Sequence, residues 1–459
     1  MDKKTKKGGM SMAIRNKFRR TLSVLCSVLL SFGVACGKGE NPTSGNAALL
    51  AQPAAPTELS YPDRTNADYL AFKGNVDGFA TRFANAAYQA YDGEENFAVS
   101  PLSVFSALSL AAEGAHSVTR SEILNALGAS YEELQTYYSA LYREVSVTHT
   151  EYNDDDTTTY SGEVTLSNSL WLQQGIDFRQ AGLDVLANKY HAYSYLADFC
   201  NENEKANRAL TAFIKEQTHG LIEKNYELSD KTLLALVNTL YLKDGWLMHG
   251  DLPTTAPYTF TNADGSTHTT PLLQGKYVSG RVQEQENYSL FYTATLNNYK
   301  LKFILPKDGY TVADVFTADV LAEVSATKSF GGSDYENNID YYTRCLFPEF
   351  EAEYDENIRT LLQTMGIQSL FNEYSCDFGG LLDEYWRGKV YCEKVQHTTK
   401  LFVDKTGIEG AAVTVIGIGE SAPETRQEVF YDFVIDRAFG FVITTPNNIT
   451  LFSGVVEHL

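Results

Sequence analysis

The chain has 459 residues, of which 44% are apolar and 12% aromatic, and it carries a formal net charge of −21 at pH 7. That apolar content supports a large buried core and excludes an intrinsically disordered chain. The excess of acidic residues excludes nonspecific binding to nucleic acid, because binding to phosphates requires clustered Lys and Arg. The negative charge would serve either to attract basic partners or only to keep the protein soluble.

Residues 1–36 have the pattern of a bacterial export signal. A basic region precedes an apolar run, 21–35, that is too short to cross a bilayer as a helix. Small residues stand immediately before Cys36, as they do at lipoprotein cleavage sites, so we expect a lipoprotein-type signal peptide and lipidation of Cys36. Ordinary secretion is the alternative, because Gly33 occupies a position where such sites prefer Leu. Both routes predict an extracytoplasmic protein, at the cell envelope or secreted.

Residues 37–66 are rich in Pro, Gly, Ser and Asn, which predicts a flexible tether. No second linker follows, so residues 67–459 are predicted to form one domain. We expect this domain to be a monomer that touches a membrane only through the lipid anchor. Its cysteines are widely spaced and a domain of this size needs no disulfides, so free thiols are expected, with one bridge left open, for Cys200, Cys345, Cys376 and Cys392.

Apolar residues at helical spacing dominate the beginning of this domain. They predict helices at 68–91, 102–113, 117–127 and 131–142, the third of which should stop at Gly128. Later segments predict helices at 205–218 and 358–365, and strands at 163–172, 233–242, 301–305, 344–350, 390–403, 430–435, 441–444 and 451–456. Helices gathered early and strands gathered late indicate an α+β fold.

The stretch 403–422, VDKTGIEGAAVTVIGIGESA, combines two contrary features. It carries no charge between Gly410 and Gly419, as expected for a strand that is buried on both faces. However, Gly417 and Gly419 lower its strand propensity, and an acidic segment follows it. The same residues therefore suit both a central strand and an exposed loop.

Short motifs, each weak alone, follow one another along the domain. They are NFAVSPLS at 96–103, NSLW at 168–171, LVNTLYLKDGW at 236–246, FILP at 303–306, FPEF at 347–350, DRAF at 436–439 and FSG at 452–454. Together and in this order they resemble the serpin family over essentially all of 67–459.

The resemblance implies a fold of about nine helices packed on three β-sheets, with an exposed reactive-centre loop near the C-terminus. It also implies a metastable inhibitor of serine proteases, with cysteine proteases as a further class, and neither an enzyme nor a cofactor protein. A target protease would cut the loop and remain attached as an acyl ester. The freed segment would then enter the main sheet as a new central strand and trap the covalent complex.

Two groups of residues carry over from the family by position. The hinge of the loop corresponds to Gly407, Ile408, Glu409, Gly410, Ala411, Ala412, Val413 and Thr414. A polar cluster that controls opening of the main sheet corresponds to Ser100, Ser103, Asn238 and His397, with Trp246 at the top of that sheet. Because a strand has period two, the even-numbered residues from Ile408 to Ile418 would share the face that meets the core.

The hinge departs from the family pattern at three positions. Lys405 replaces a Glu, Ile408 replaces a Thr, and Gly410 replaces an Ala. We expect Lys405 to remove a carboxylate and with it an ion pair, while neither of the other two changes introduces a charge or a proline that would block insertion.

The scissile bond is assigned by counting about fourteen residues from Gly407, which gives Ser421-Ala422. Small residues there would suit elastase-like or subtilisin-like proteases. One alternative is Arg426-Gln427, since Arg426 is the only basic residue between Lys405 and Arg437 and would suit a trypsin-like protease. Another is a cut after Glu420, which would suit a glutamate-preferring protease.

Two rival functions remain to be weighed. A non-inhibitory lipoprotein with the serpin fold would bind a partner without being cleaved. A penicillin-binding enzyme would use Ser325-x-x-Lys328, Tyr335-x-Asn337 and Lys405-Thr-Gly407, but the first two motifs lie too close together for that fold. No G-x-S-x-G or H-E-x-x-H motif occurs, and the histidines lack metal-binding spacing.

Overall fold

The computed structural model describes residues 47–53, 63–152, 158–246, 251–386, 389–408 and 426–459. These ranges contain nine α-helices: α1 (Ala67–Ala90), α2 (Pro101–Gly114), α3 (Ser117–Leu127), α4 (Tyr131–Val145), α5 (Gln180–Lys189), α6 (Asn203–Gln217), α7 (Val312–Val315), α8 (Ala318–Ala326) and α9 (Arg359–Thr364).

The same ranges contain twenty strands, several of them only two residues long. They are β1 (Ala48–Ala51), β2 (Phe97–Val99), β3 (Val147–Tyr152), β4 (Thr158–Gln173), β5 (Ala192–Ala197), β6 (Leu234–Gly245), β7 (Thr254–Thr261), β8 (Thr267–Gln274), β9 (Val278–Ser279), β10 (Gln283–Glu284), β11 (Tyr288–Ala294), β12 (Lys300–Pro306), β13 (Ser333–Asp334), β14 (Ile339–Phe347), β15 (Phe350–Asn357), β16 (Gln396–Val403), β17 (Gly407–Ile408), β18 (Gln427–Val434), β19 (Phe439–Thr444) and β20 (Thr450–Val456).

Local sequence explains where the early helices begin and end. The Ser100 side chain accepts a hydrogen bond from the Ser103 N–H at the start of α2, and Pro follows it at the first helical position. Ser130 and Glu133 form a reciprocal capping box at the start of α4. Helix α3 ends at Gly128, whose φ of 69° is left-handed. The predicted bounds 117–127 are therefore confirmed.

The strands form two hydrogen-bonded sheets, and the larger one consists of two parts that we describe as separate sheets, which gives three in all. The main sheet has the order β1-β5-β4-β6-β17-β16-β15, with β3 paired to β4, and the second has the order β2-β20-β19-β12-β11-β10. One residue pair, Glu353 with Phe97, joins these two. The third sheet has the order β13-β14-β8-β7, with β9 and β18 also paired to β14. The predicted α+β architecture of about nine helices on three sheets is confirmed.

Two separate groups of buried side chains hold these layers together. The larger core lies among α1 to α5, α7 to α9 and all three sheets, and it includes residues of β4, β6, β15, β16 and β17 of the main sheet. The smaller core lies between α6 and one half of the main sheet, and is centred on Trp171, Tyr195 and Phe213. Leu49 of β1 packs against this smaller core.

Three predictions of local structure are wrong. Residues 48–51, predicted to belong to a flexible tether, form β1 and pair with β5 at the edge of the main sheet. The strand predicted at 344–350 is two strands, β14 and β15, because Pro348 and Glu349 separate them. The strand predicted at 390–403 begins only at Gln396.

The thiols follow the prediction. Cys200, Cys345, Cys376 and Cys392 are all free, and burial raises the pKa of Cys376 to about 12 and that of Cys392 to about 11. Among the described residues, no helix has the length and apolar character needed to span a bilayer.

Candidate functional site: the central column of the main sheet

Between β6 and β16 the main sheet has one further strand position, which we call the central column. Among the described residues, only the two of β17 lie in it. Gly407 pairs with Gly245 and Ile408 with Asp244 on one side, and Ile408 pairs with Val403 on the other. Both pairings are antiparallel, so β6 and β16 run parallel to each other and flank a position open to an antiparallel strand.

Gly407 is at this position because no side chain fits there. A Cβ on Gly407 would lie 2.3 Å from the carbonyl oxygen of Asp244 and 3.0 Å from the Cα of Gly245. Such close backbone approach requires glycine. The predicted hinge glycine is thus a residue that allows the chain to enter between two strands, and Ile408 next to it is fully buried.

A turn fixed by Asp404 leads the chain into the column. The Oδ1 atom of Asp404 accepts hydrogen bonds from the Thr406 N–H at 2.7 Å and the Gly407 N–H at 3.1 Å. Trp246 donates its indole N–H to the Asp404 carbonyl at 2.7 Å and packs edge-on against Phe347. Trp246 therefore lies just after the end of β6 and holds the turn that precedes β17.

Lys405 forms an ion pair in which it supplies the positive charge, whereas the family's Glu at this position would supply the negative one. The Lys405 ammonium pairs with the carboxylate of Asp251, which raises the pKa of Lys405. Both side chains are about half exposed, so the pair contributes little to stability. The expectation that Lys405 leaves this position without an ion pair is wrong, because Asp251, far away in sequence, supplies the partner.

The four polar residues predicted to control sheet opening come together beneath the column. The Ser103 hydroxyl donates to Asn238 on β6, and the Ser103 N–H donates to the Ser100 hydroxyl at 3.4 Å. The Ser100 N–H donates to Nε2 of His397 on β16 at 3.2 Å. The start of α2 thus connects the two strands that flank the column.

This network extends to residues that sequence reasoning missed. Asn238 donates to Oδ1 of Asn168 at 2.7 Å, and Asn168 donates to the Tyr138 hydroxyl at 2.9 Å. Ser106 donates to Asn168 at 3.0 Å and also contacts Tyr138. The signals were available in part, because Asn168 begins the NSLW motif and Ser106 follows Ser103 by one helical turn.

His397 is kept neutral by this environment. It is 5% exposed, and Phe83 and Tyr354 lie against its ring. Because Nε2 accepts hydrogen bonds from Ser100 and from the Thr399 hydroxyl, it carries no proton. Burial lowers the pKa of His397 to about 4.

Asp244 is a second titratable group beside the column that sequence reasoning missed. Its side chain is fully buried and accepts hydrogen bonds from the Thr295 hydroxyl at 2.5 Å and the Asn297 N–H at 3.0 Å. Burial nevertheless raises the pKa of Asp244 to about 6. Nothing in the sequence around Asp244 indicated this position, because both partners come from a distant turn.

Some of the remaining predicted loop residues belong to the described residues and others do not. Glu409 to Thr414, Ser421 and Ala422 lie outside the described residues, as does Cys36. Arg426 is described, and Gln427 begins β18. The Arg426 guanidinium donates to the Asp334 carbonyl at 3.1 Å, pairs with Asp340 at 3.4 Å and lies over the Tyr335 ring.

The rival enzyme motif has no arrangement suited to catalysis. Ser325 is 3% exposed, and its hydroxyl bonds to the Thr450 hydroxyl at 3.1 Å. Lys405 is committed to Asp251. Within the described ranges, no group of three or more His, Cys, Asp or Glu side chains is placed to hold a metal ion.

Residues 75–459 match the family model described as Serpin (serine protease inhibitor). The chain belongs to the serpin family. This serpin is 24% identical over 372 residues to an uncharacterized serpin-like protein of Methanosarcina acetivorans, covering 79% of this chain and 81% of that one. It is 23% identical over 384 residues to Serpin B7 of Homo sapiens, covering 80% and 93%.

Solved structures agree with this serpin in fold. Tengpin, a thermophilic serpin, superposes in its native state with a TM-score of 0.68 at 22% identity, covering 90% of this chain and all of its own. Human thyroxine-binding globulin, solved with its hormone, superposes with a TM-score of 0.66 at 20% identity, covering 85% and 99%. The fold predicted from the motifs is therefore the fold that the chain has.

Proposed function

We propose that this serpin inhibits serine proteases as a suicide substrate. A protease serine would attack the carbonyl carbon of the loop residue before the cut, forming an acyl ester and releasing the following residue as a free amine. The freed segment would then enter the central column and carry the acyl-enzyme away from its docking position. The observation that supports this most strongly is β17, which already occupies the top of the column in the required antiparallel direction.

The register of β17 supports insertion of the whole hinge. Ile408 pairs with Asp244 and Val403, so six residues further along the same register would pair position 414 with both Asn238 and His397. Thr414 would face the core, as Ile408 does, and its hydroxyl would meet the polar cluster rather than an apolar surface. An inserted strand would gain hydrogen bonds on two sides, each worth a net ~0.5–1.5 kcal/mol.

The contacts of Arg426 favour Ser421-Ala422 as the scissile bond. A residue that enters a protease pocket must be free of the inhibitor body, whereas Arg426 is bound to Asp334 and Asp340. The small side chains of Ser421 and Ala422 match proteases with small specificity pockets.

A panel of proteases tests the proposal. We expect an SDS-stable complex with pancreatic elastase or subtilisin, and a released C-terminal peptide that begins at Ala422. A peptide that begins at Gln427, with trypsin as the trapped enzyme, would move the scissile bond to Arg426-Gln427. Cleavage by every member of the panel without a stable complex would leave the binding lipoprotein as the better description.

The same proposal includes a place in the cell. We infer from the signal-like N-terminus that the protein is lipidated at Cys36 and protects the cell envelope from foreign proteases. Incorporation of labelled palmitate that is lost in Cys36→Ser tests the anchor, and equal labelling of both proteins would exclude it.

A further inference from the structure

One exposed and two half-buried aromatic rings form a patch at the third sheet, which we call the aromatic patch. Phe430 of β18 is 52% exposed. Its ring stacks on Tyr342 of β14, with centroids 5.3 Å apart and an interplanar angle of 19°. Tyr277 meets the same ring edge-on at 5.1 Å. The three side chains make one continuous surface rather than three isolated ones.

An ion pair fixes the patch in place. Arg344 binds Asp432 through two parallel hydrogen bonds of 2.6 and 3.0 Å, and its guanidinium lies 4.9 Å from the centre of the Tyr277 ring. The Tyr277 hydroxyl donates to the same carboxylate at 3.1 Å. Because these contacts already order the rings, a partner that binds them loses little conformational entropy.

Phe430 follows the segment proposed to receive the protease closely along the chain. Phe430 is nine residues beyond Ser421, a span of at most ~30 Å in an extended chain. A protease domain is itself roughly 45 Å across, so one docked at Ser421 is large enough to span this distance. Among the described residues β18 pairs only with β14, so it forms an edge of the third sheet on which no other strand lies.

Exposed aromatic residues are common and carry no meaning singly. Tyr374 is 85% exposed and lies in the turn after α9, outside the sheets. The aromatic patch differs because its rings touch, are held by an ion pair and follow the loop directly. Aromatic side chains ordered in this way are typical of the residues that dominate protein–protein binding energy.

We propose that the aromatic patch is a second contact surface for the target protease, one that binds a basic face of the enzyme beside its active-site cleft. The chain carries a net charge of −21, which attracts basic proteins. Exposed rings bind Lys and Arg through their faces. The proposal rests on the proposed function, since it names a feature of the partner of that same loop.

Binding of an inactive protease tests the patch apart from the trapping chemistry. The probe is pancreatic elastase, a basic enzyme, with its catalytic serine replaced by alanine, and its Kd is measured by calorimetry at low and high salt. We expect Phe430→Ser to weaken binding roughly tenfold, Phe430→Tyr to retain it, and added salt to weaken binding by the unsubstituted protein. Tyr374→Ser is the matched control and should leave the Kd unchanged.

The outcomes separate this proposal from the inhibitory function. If Phe430→Ser and the unsubstituted protein have equal Kd values while active elastase still forms the covalent complex, the proposed contact surface is wrong and the inhibitory function stands. Cleavage without a covalent complex, but with a weakened Kd for Phe430→Ser, would overturn the trapping function and support the patch. A sedimentation coefficient that falls in Phe430→Ser, at unchanged Kd, would assign the surface to a second copy of this chain and overturn the proposal.

Discussion

Gly407 brings two backbones closer than any other residue type would allow. Replacing it with Val places a branched side chain against the Asp244 carbonyl, 2.3 Å from the position of the new Cβ. We expect Gly407→Val to displace β17, to lower the free energy of unfolding by ~1–3 kcal/mol, and to raise the number of inhibitor molecules consumed per protease trapped. Both quantities are measured on the purified variant.

Gly74, in the middle of α1, provides the control for this substitution. A Cβ there meets nothing within 4 Å, so Gly74→Ala should stabilise the protein by ~0.5–1 kcal/mol through helix propensity. If Gly407→Val were as well tolerated as Gly74→Ala, the steric argument for the hinge glycine would be wrong.

His397 makes stability depend on pH. Its pKa is lowered to about 4 in the folded protein, against about 6.5 when unfolded. Between these two pH values the unfolded chain therefore binds more protons than the folded protein. The contribution of neutral His397 to the free energy of unfolding is complete above pH 6.5, and up to ~3 kcal/mol of it is lost as the pH falls towards 4.

Denaturant midpoints measured from pH 7 to pH 4 test this dependence. We expect His397→Gln to reduce the loss of stability at acid pH. His191, whose pKa burial lowers to about 4, acts in the same direction as His397, whereas Asp244, whose pKa burial raises to about 6, acts in the opposite direction. An unchanged slope in His397→Gln would show that the polar cluster does not set the acid sensitivity.

The location of a side chain in the fold was predictable from the sequence where the residue belongs to a motif. It was not predictable where the residue's interaction partner comes from a distant segment of the chain. Ser100, Ser103 and Asn238 follow from their motifs, and the structure brings them together. The pair between Lys405 and Asp251 does not, because the sequence gives no sign that positions so far apart lie side by side. The burial that shifts the pKa of Asp244 is likewise a property of the assembled sheet.

At the scale of elements, the two faces of the inserted strand should differ in how well they tolerate a charged side chain. In the register of β17, Ala412 would face the core and Ala411 the opposite side. We expect Ala412→Arg to convert the protein from inhibitor to substrate, because burying an unpaired guanidinium opposes insertion. Ala411→Arg, one position away, should remain an inhibitor.

Gel analysis of the two variants with elastase distinguishes complex from cleaved product. Full inhibition by Ala412→Arg, or equal loss in both variants, would mean that the loop does not insert in this register. Thr414→Arg provides an independent repeat, since position 414 would meet Asn238 and His397.

The elements were predictable where capping and periodicity agreed. The bounds of α3 matched because Gly128 ends it. The hairpin of β7 and β8 was missed, although Asp264-Gly265 between the strands is a turn signal. Residues 390–395 were wrongly predicted as strand because their apolar members pack against the core without forming a ladder. Pairing of β1 with β5 depends on a sheet edge that only the folded domain provides.

At the scale of the whole molecule, the proposed function requires that the uncut fold is not the most stable one. Filling the central column with about ten further residues should raise the melting temperature on cleavage by roughly 10 °C or more. Differential scanning calorimetry of the intact and loop-cleaved protein measures this. Cleaved Ala412→Arg should show no rise, and a wild-type protein that melts no later after cleavage would contradict the stored-energy interpretation.

The smaller core has a mechanical consequence. Its side chains belong to β4, β5, β6, α6, the connections before and after α6, and β1 with the residue that precedes it, so they lie on one side of the central column. The half of the main sheet formed by β1, β5, β4 and β6 could therefore move sideways together with α6 as one rigid slab, without repacking of the smaller core. What must break is the connection between the slab and the other half, where Lys224 pairs with Asp355 of β15. Widening of the sheet is then resisted by this exposed ion pair, by the polar cluster beneath the column, and by the contacts that Leu166, Leu170 and Leu242 of β4 and β6 make within the larger core.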